Sequence, residues 1–283
     1  MPTKAFLEIT NACNLACDFC HGTRREIKYL TVEEFTRAAT EARKFADYLY
    51  FHLMGEPLLH PKLAEFFEIA GNLGFKVVLT TNGTLLDRRR DVLLSAKCLH
   101  KVSISLHSYE ANQAGQSVDE YLDNCFRFCR DAADRGIVAV MRLWNLGGKN
   151  SLNEMIIAKM HEFFDESPDA QWREIFSGYK LKDRLFLEWG EKFDWPDENA
   201  DEVSASHSCH GLRDQIGILS DGTVVPCCLD ADGAINLGNI FDQPLEEILS
   251  SKRVDNMRKA FDRKVVTERL CRRCGYAHMK KFK

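Results

Sequence analysis

The sequence predicts an α/β fold: parallel βα units curved into a barrel, followed by a small cysteine-rich C-terminal domain. Three observations lead there. Short apolar runs alternate with amphipathic stretches from Ala5 to about Leu143, the pattern of successive βα units. Val102, Ile104 and Leu106 share one strand face, with Ser103, Ser105 and His107 on the other, as in a barrel whose interior is polar at one end. Beyond about residue 206 the period changes to a hairpin pattern among cysteines.

Strands are expected near 6–9, 48–53, 76–80, 101–106 and 137–143, with a weaker sixth near 185–188. A helix opens at Thr31, where Thr31-Val32-Glu33-Glu34 fits a capping box. Another starts around Pro61, which suits a first helical turn. A third spans 117–135 and stops at Gly136. The acidic stretch 194–206 reads as a connector. Ser220-Asp221-Gly222 between two apolar runs signals a hairpin. The domains are therefore 1–193, barrel with connector, and 194–283.

With 283 residues, 45% of them hydrophobic, the chain can bury a real core. A net charge of -4 gives no basic field for nucleic acid, and Arg88-Arg89-Arg90 and Lys280-Lys281 read as solvated faces. The start Met1-Pro2-Thr3-Lys4 has no signal h-region, and no run approaches the ~20 apolar residues of a membrane span. A cytoplasmic protein is expected, in which eleven cysteines argue for metal ligation over disulfides.

Cys13, Cys17 and Cys20 form a C-x3-C-x2-C triplet in the loop after the first strand. Three thiolates on so short a loop suit three irons of a four-iron cluster, leaving the fourth iron open for chemistry. A zinc site would ask for a fourth ligand nearby.

The triplet resembles the signature of the radical S-adenosylmethionine (SAM) enzymes, and later segments follow in that family's order. The resemblance implies an incomplete (β/α)6 TIM-like barrel and a SAM molecule whose amino and carboxylate groups chelate the open iron. It further implies reductive cleavage to a 5'-deoxyadenosyl radical that abstracts a substrate hydrogen, and a flavodoxin- or ferredoxin-like reductant. Phe19 takes the place of an aromatic near the adenine. Leu53-Met54-Gly55-Glu56-Pro57 resembles the family's Gly-Gly-Glu-Pro segment, in which backbone carbonyls and the glutamate receive the SAM ammonium; Met54 replaces the first glycine, and Gly55 and Glu56 remain. Thr81 and Asn82 look like the family's Thr-Asn-Gly turn, and Ser105 matches a position that meets the ribose. Arg142 is a charge in an otherwise apolar strand, and needs a partner; the SAM carboxylate and a structural ion pair are the two alternatives.

Cys209, Cys227, Cys271 and Cys274 could ligate a complete second cluster. Their arrangement resembles the twitch domain, a shortened relative of the SPASM domain. The spacing is especially similar to that of the radical SAM dehydrogenase that oxidises the aminocyclitol 2-deoxy-scyllo-inosamine. Cys228 competes with Cys227, which holds the position that family members use after Val225-Pro226. Structural zinc is the alternative occupant. Cys98 reads as core, and Cys125 and Cys129, one helical turn apart, as packed small hydrophobes. His107 and His52 are candidates for proton transfer or substrate binding, against a structural role for each. His207 and His210 flank Cys209 and could hydrogen-bond cluster sulfurs.

The expected function is a radical SAM oxidoreductase that dehydrogenates a small polar, aminocyclitol-like alcohol, the auxiliary cluster accepting one electron. The alternative is a SPASM-type maturase acting on a ribosomally made peptide, with any leader-binding protein separate because Cys13 comes so early. A noncatalytic iron-sulfur or zinc-binding interaction protein is the reading from another class.

Overall fold

The computed structural model describes residues 2–112, 117–165 and 171–278; the Lys280-Lys281 run lies outside the described residues. In chain order the first half holds β1 (Lys4–Leu7), α1 (Val32–Arg43), β2 (Tyr48–Tyr50), α2 (Leu63–Asn72), β3 (Lys76–Thr81), α3 (Leu86–Ser95), β4 (Leu99–Ser105), α4 (Ser108–Asn112) and α5 (Val118–Asp134). Then come β5 (Val138–Leu146), α6 (Asn153–Phe164), β6 (Arg173–Ile175), β7 (Gly178–Lys182), β8 (Leu185–Glu191), β9 (Gln215–Ile218), β10 (Val224–Val225), α7 (Leu245–Leu249) and α8 (Lys252–Asp262). Two compact units result, one from Met1–Cys13, Cys20–Val77 and Phe193–Lys283, the other from Asn14–Phe19 and Val78–Lys192.

In the first unit the strand order is β10-β9-β1-β2. Ala5, Phe6 and Leu7 are all buried, as befits a strand flanked in parallel by β2 and β9. The hairpin signal holds: β9 and β10 pair antiparallel, and Gly222 takes φ +89° in the turn. Thr31 caps α1 in the expected box with Glu34, and Phe35 of α1 stacks on Phe66 of α2 at 4.1 Å. Residues 57–59 form a 3-10 turn capped by Glu56, so α2 begins at Leu63 and not at Pro61.

In the second unit β4, β5 and β8 run parallel, and β7 and β6 extend β8 antiparallel. Ser117 caps α5, whose stripe Tyr121, Leu122, Cys125, Phe126, Cys129 and Ala132 is buried, and Gly136 ends it at φ +82°. Cys125 and Cys129 are fully buried, and burial pushes the Cys125 thiol up to about 12. Cys98 is only half-buried, not core. The polar face of β4 is dry at its middle: Ser103 is 0% exposed and its hydroxyl has no hydrogen-bond partner among the described residues. Among the described residues no helix is long and apolar enough to cross a membrane.

Candidate active site

The loop of the cysteine triplet leaves the first unit from a pinned base. Thr10 Oγ1 donates to Lys28 O at 2.8 Å, and the Asn11 amide both donates to Glu26 O at 2.9 Å and accepts the Lys28 N–H at 2.8 Å. Beyond this base Cys13 and Cys20 are exposed and Cys17 is half-buried, none of the three in a disulfide. The Gly22 N–H reaches Cys20 Sγ at 3.4 Å.

Gly55 presses against the same base. Its φ is +77°, and a Cβ there would lie 2.4 Å from Thr10 O, so only glycine fits. Glu56 N donates to Ala12 O at 2.7 Å. The Glu56 side chain is 1% exposed and accepts the Leu58 N–H at 3.0 Å. Met54, in place of the family's glycine, is buried in a cluster with Phe6, Leu53, Leu219, Val225 and Ala231. Its side chain thus anchors the C-terminal hairpin.

Nothing in the sequence marks Glu8, yet it is 0% exposed at the end of β1. Arg25 Nη2 donates to both of its oxygens at 2.7 Å. Ser220 adds its Oγ at 2.8 Å and its N–H at 3.1 Å, and Met54 N donates at 3.2 Å. Arg25 Nε also reaches Ala231 O at 3.0 Å. One carboxylate therefore joins β1, the segment after Cys20, the Met54-Gly55-Glu56 stretch and the C-terminal hairpin. Removing one partner of a buried pair leaves the other charge uncompensated, so Arg25→Met should cost about 3–5 kcal/mol of unfolding free energy. The double variant Glu8→Gln/Arg25→Met should recover part of it. Anaerobic urea titration checks this, and a single-variant cost under about 1 kcal/mol, no more than an exposed pair gives, would contradict the clamp.

In the second unit Thr81 and Asn82 are both buried. Thr81 Oγ1 accepts the Gly83 N–H at 3.1 Å, and Asn82 Oδ1 accepts the Thr84 N–H at 3.0 Å, so both shape the turn. Asn82 Nδ2 also donates to Asn14 Oδ1 in the cysteine loop at 2.9 Å. Ser105 ends β4 in register with Arg142. The charge of Arg142 has a partner that local pattern does not reveal: Nε donates to Glu188 Oε2 at 3.2 Å across β5 and β8, and the guanidinium stacks over Trp144 at 4.5 Å.

Phe19 packs against the His107 ring at 4.6 Å. His107 is 7% exposed, and Nδ1 lies 3.1 Å from Arg142 O. Burial lowers its pKa from 6.5 to about 4, outweighing that hydrogen bond, so the ring is neutral at pH 7 and a weak base. The unfolded chain binds this proton more tightly, so the associated stability is full above pH 6.5 and is lost as pH falls toward 4. At pH 5 the loss should be about 2 kcal/mol, and His107→Asn should lack it. Parallel unfolding titrations of the two proteins at pH 7.5 and about 5 test this; equal losses would return the titration to other groups. His52, in the first unit, packs edge-on against Phe6 at 5.6 Å and Tyr50 at 5.7 Å.

The C-terminal thiols gather in the first unit. Burial, then Cys228, Cys209 and Cys271, push the Cys227 thiol far above its ordinary value. Burial, then Cys209 and Cys274, do the same to Cys271. Cys228 is pushed up to about 12 by burial, with Cys274 and Cys209 adding to it. Five thiols thus share one partly buried patch, where thiolates would repel each other unless cations replaced their protons. That donor set fits an iron-sulfur cluster, whose irons supply that charge. Among the described residues no group of three or more His, Cys, Asp or Glu is arranged to hold a single metal ion; a four-iron cluster asks for a different spacing, one thiolate on each iron. His207 and His210 lie beside Cys209 in sequence, and His210 Nδ1 bonds Asp214 at 2.5 Å.

Residues 7–151, just over half of the chain, match the radical SAM superfamily. The chain belongs to the radical SAM superfamily. Residues 209–275 match the SPASM iron-sulfur cluster-binding domain. Among solved structures, BtrN in an open conformation aligns with a TM-score of 0.57 at 16% identity, covering 97% of this chain and 92% of that one. Streptococcus suis SuiB bound to SAM gives 0.63 at 14% identity, covering 92% and 68%. Likeness at this identity establishes the fold, the radical SAM partial barrel with a C-terminal SPASM domain. Among curated proteins, Fe-coproporphyrin III synthase of Methanosarcina barkeri is 28% identical over 138 residues, 47% of this chain and 35% of the relative. PqqA peptide cyclase of Streptomyces rochei is 32% identical over 121 residues, 41% of this chain and 33% of the relative. The chain matches about a third of the length of these two relatives. As a radical SAM enzyme with a SPASM domain, the chain takes SAM, a [4Fe-4S] cluster and auxiliary iron-sulfur as cofactors.

Proposed function

We propose that this enzyme dehydrogenates a small polar alcohol of the aminocyclitol kind. In this reading Cys13, Cys17 and Cys20 hold the SAM-binding cluster, and Cys209, Cys227, Cys271 and Cys274 hold one auxiliary cluster. The observation that carries it is the shared patch of C-terminal thiols: four ligands leave no iron open, so such a cluster suits accepting an electron and not binding substrate. When bound, SAM and the clusters supply a 5'-deoxyadenosyl radical that takes a hydrogen atom, and an acceptor for the second electron of the oxidation.

The chain's own residues position these groups. Gly55 and Glu56 face the ammonium role, Phe19 the adenine, and Thr81, Asn82 and Ser105 the nucleoside. Arg142 serves the carboxylate, with Glu188 balancing its charge. His107, neutral, suits orienting a substrate hydroxyl, whose proton then leaves to water; His52 is the second candidate. Within the first unit a polar cavity of about 400 Å3, lined by His21, Arg24, Asp197, Asp230 and Asp232 among others, is of a size for a small polar molecule. BtrN, solved with AdoMet and 2-DOIA, supports the small-molecule reading. We assign the domains as 1–193 and 194–283, a flavodoxin- or ferredoxin-like protein as reductant, and no nucleic-acid partner. A cytoplasmic setting agrees with eleven cysteines, none of them in a disulfide among the described residues.

A peptide maturase is the second reading, favoured by SuiB solved with its precursor peptide SuiA and by the PqqA peptide cyclase match. Anaerobic turnover with reductant, SAM and a panel of aminocyclitols decides. One 5'-deoxyadenosine per ketone formed is the expected result; no ketone from any of them, together with a mass change in a co-encoded peptide, would transfer the enzyme to the maturases.

A further inference from the structure

We infer that Asn112 tunes the reduction potential of the SAM-binding cluster by donating a hydrogen bond to the Cys17 sulfur. The inference rests on the proposal that Cys17 is a cluster ligand. Asn112 is the last residue of α4, ninety-five positions from Cys17, and its Nδ2 lies 2.9 Å from Cys17 Sγ. The same NH2 donates to Ser108 O at 2.8 Å, and Oδ1 accepts the Ala16 N–H at 2.8 Å. These three contacts fix which way the amide points: only the carbonyl oxygen can receive the Ala16 N–H, so the NH2 must face the sulfur.

The amide is also held in advance. Ser108 Oγ donates to Asn82 O at 3.2 Å, Tyr121 OH donates to the same oxygen at 2.7 Å, and Asn82 Nδ2 reaches back to Asn14 in the cysteine loop. One side chain thus binds a backbone N–H of the loop and the sulfur next to it. Reduction adds negative charge to a cluster and its thiolates, and an N–H dipole aimed at a sulfur stabilises that charge, which raises the potential. Cys20 receives its N–H from the Gly22 backbone, out of reach of a side-chain substitution. The donor to Cys17 is a side chain and can be removed.

Asn112 is therefore a positioning residue, with the potential as its readout. Redox titrations followed by electron paramagnetic resonance should be run on the full chain with both clusters, comparing wild type, Asn112→Asp and Asn112→Ala. Asn112→Asp keeps an oxygen for the Ala16 N–H while replacing the donor with negative charge. The signal that changes on adding SAM should titrate at a more negative potential in both variants, furthest in Asn112→Asp, while the other cluster's potential and the iron content stay constant. If Asn112→Asp fails to hold iron, the neutral Asn112→Ala decides by the same readout. An unchanged potential in a fully loaded variant overturns the role of Asn112 and leaves the ligand assignment standing. A wild-type protein with no SAM-responsive signal would instead overturn that assignment.

Discussion

Replacing Cys13, Cys17 and Cys20 together with Ala should abolish SAM cleavage and remove about half of the iron, about four of about eight atoms in the reconstituted enzyme. Three thiolates on the loop would fill three irons of a four-iron cluster, and only the open fourth could take SAM. The variant should still fold, because the base of the loop is held by Thr10 and Asn11 and not by the thiols. The auxiliary patch lies in other segments and should keep its iron. The yield of 5'-deoxyadenosine under dithionite is the measurement, and any yield near the parent's from a folded triple variant would place SAM cleavage elsewhere.

Much of this architecture is legible because local chemistry announces it. The α5 cap at Ser117, its buried stripe and its stop at Gly136 are all written within one helix. The Asp221-Gly222 turn likewise specifies its own hairpin. The residues that escape such reading act across the fold. Glu8 and Arg25 meet across seventeen positions with no period to announce them, and Ser220 joins from the far end of the chain. Arg142 shows as a charge in need of a partner, but Glu188 is visible only once β5 and β8 are aligned. The strands β6 and β7 have no such signal, because 173–182 carries three cationic side chains and little of the β-branched content that marks a strand. The parallel pairing of β9 with β1 is a tertiary choice that neither segment encodes alone.

The proposed electron-acceptor role of the auxiliary cluster is tested by removing two of its thiols. Abstracting a hydrogen atom from an alcohol carbon leaves a radical, and a ketone forms only when one more electron and the hydroxyl proton depart. Cys271 and Cys274 share the partly buried thiol patch with Cys209 and Cys227, so Cys271→Ala/Cys274→Ala should remove the auxiliary cluster and stop oxidised product while leaving SAM cleavage in uncoupled turnover. Losing a cluster can loosen the domain that its ligands tie together, so circular dichroism and the remaining iron establish first that the variant is folded and keeps the SAM-binding site. The deciding measurement is the ratio of oxidised product to 5'-deoxyadenosine in that variant. A ratio near zero is expected, against about one for the parent by the electron balance above; a folded variant that makes oxidised product at the parent's ratio and rate would show the second cluster to be structural.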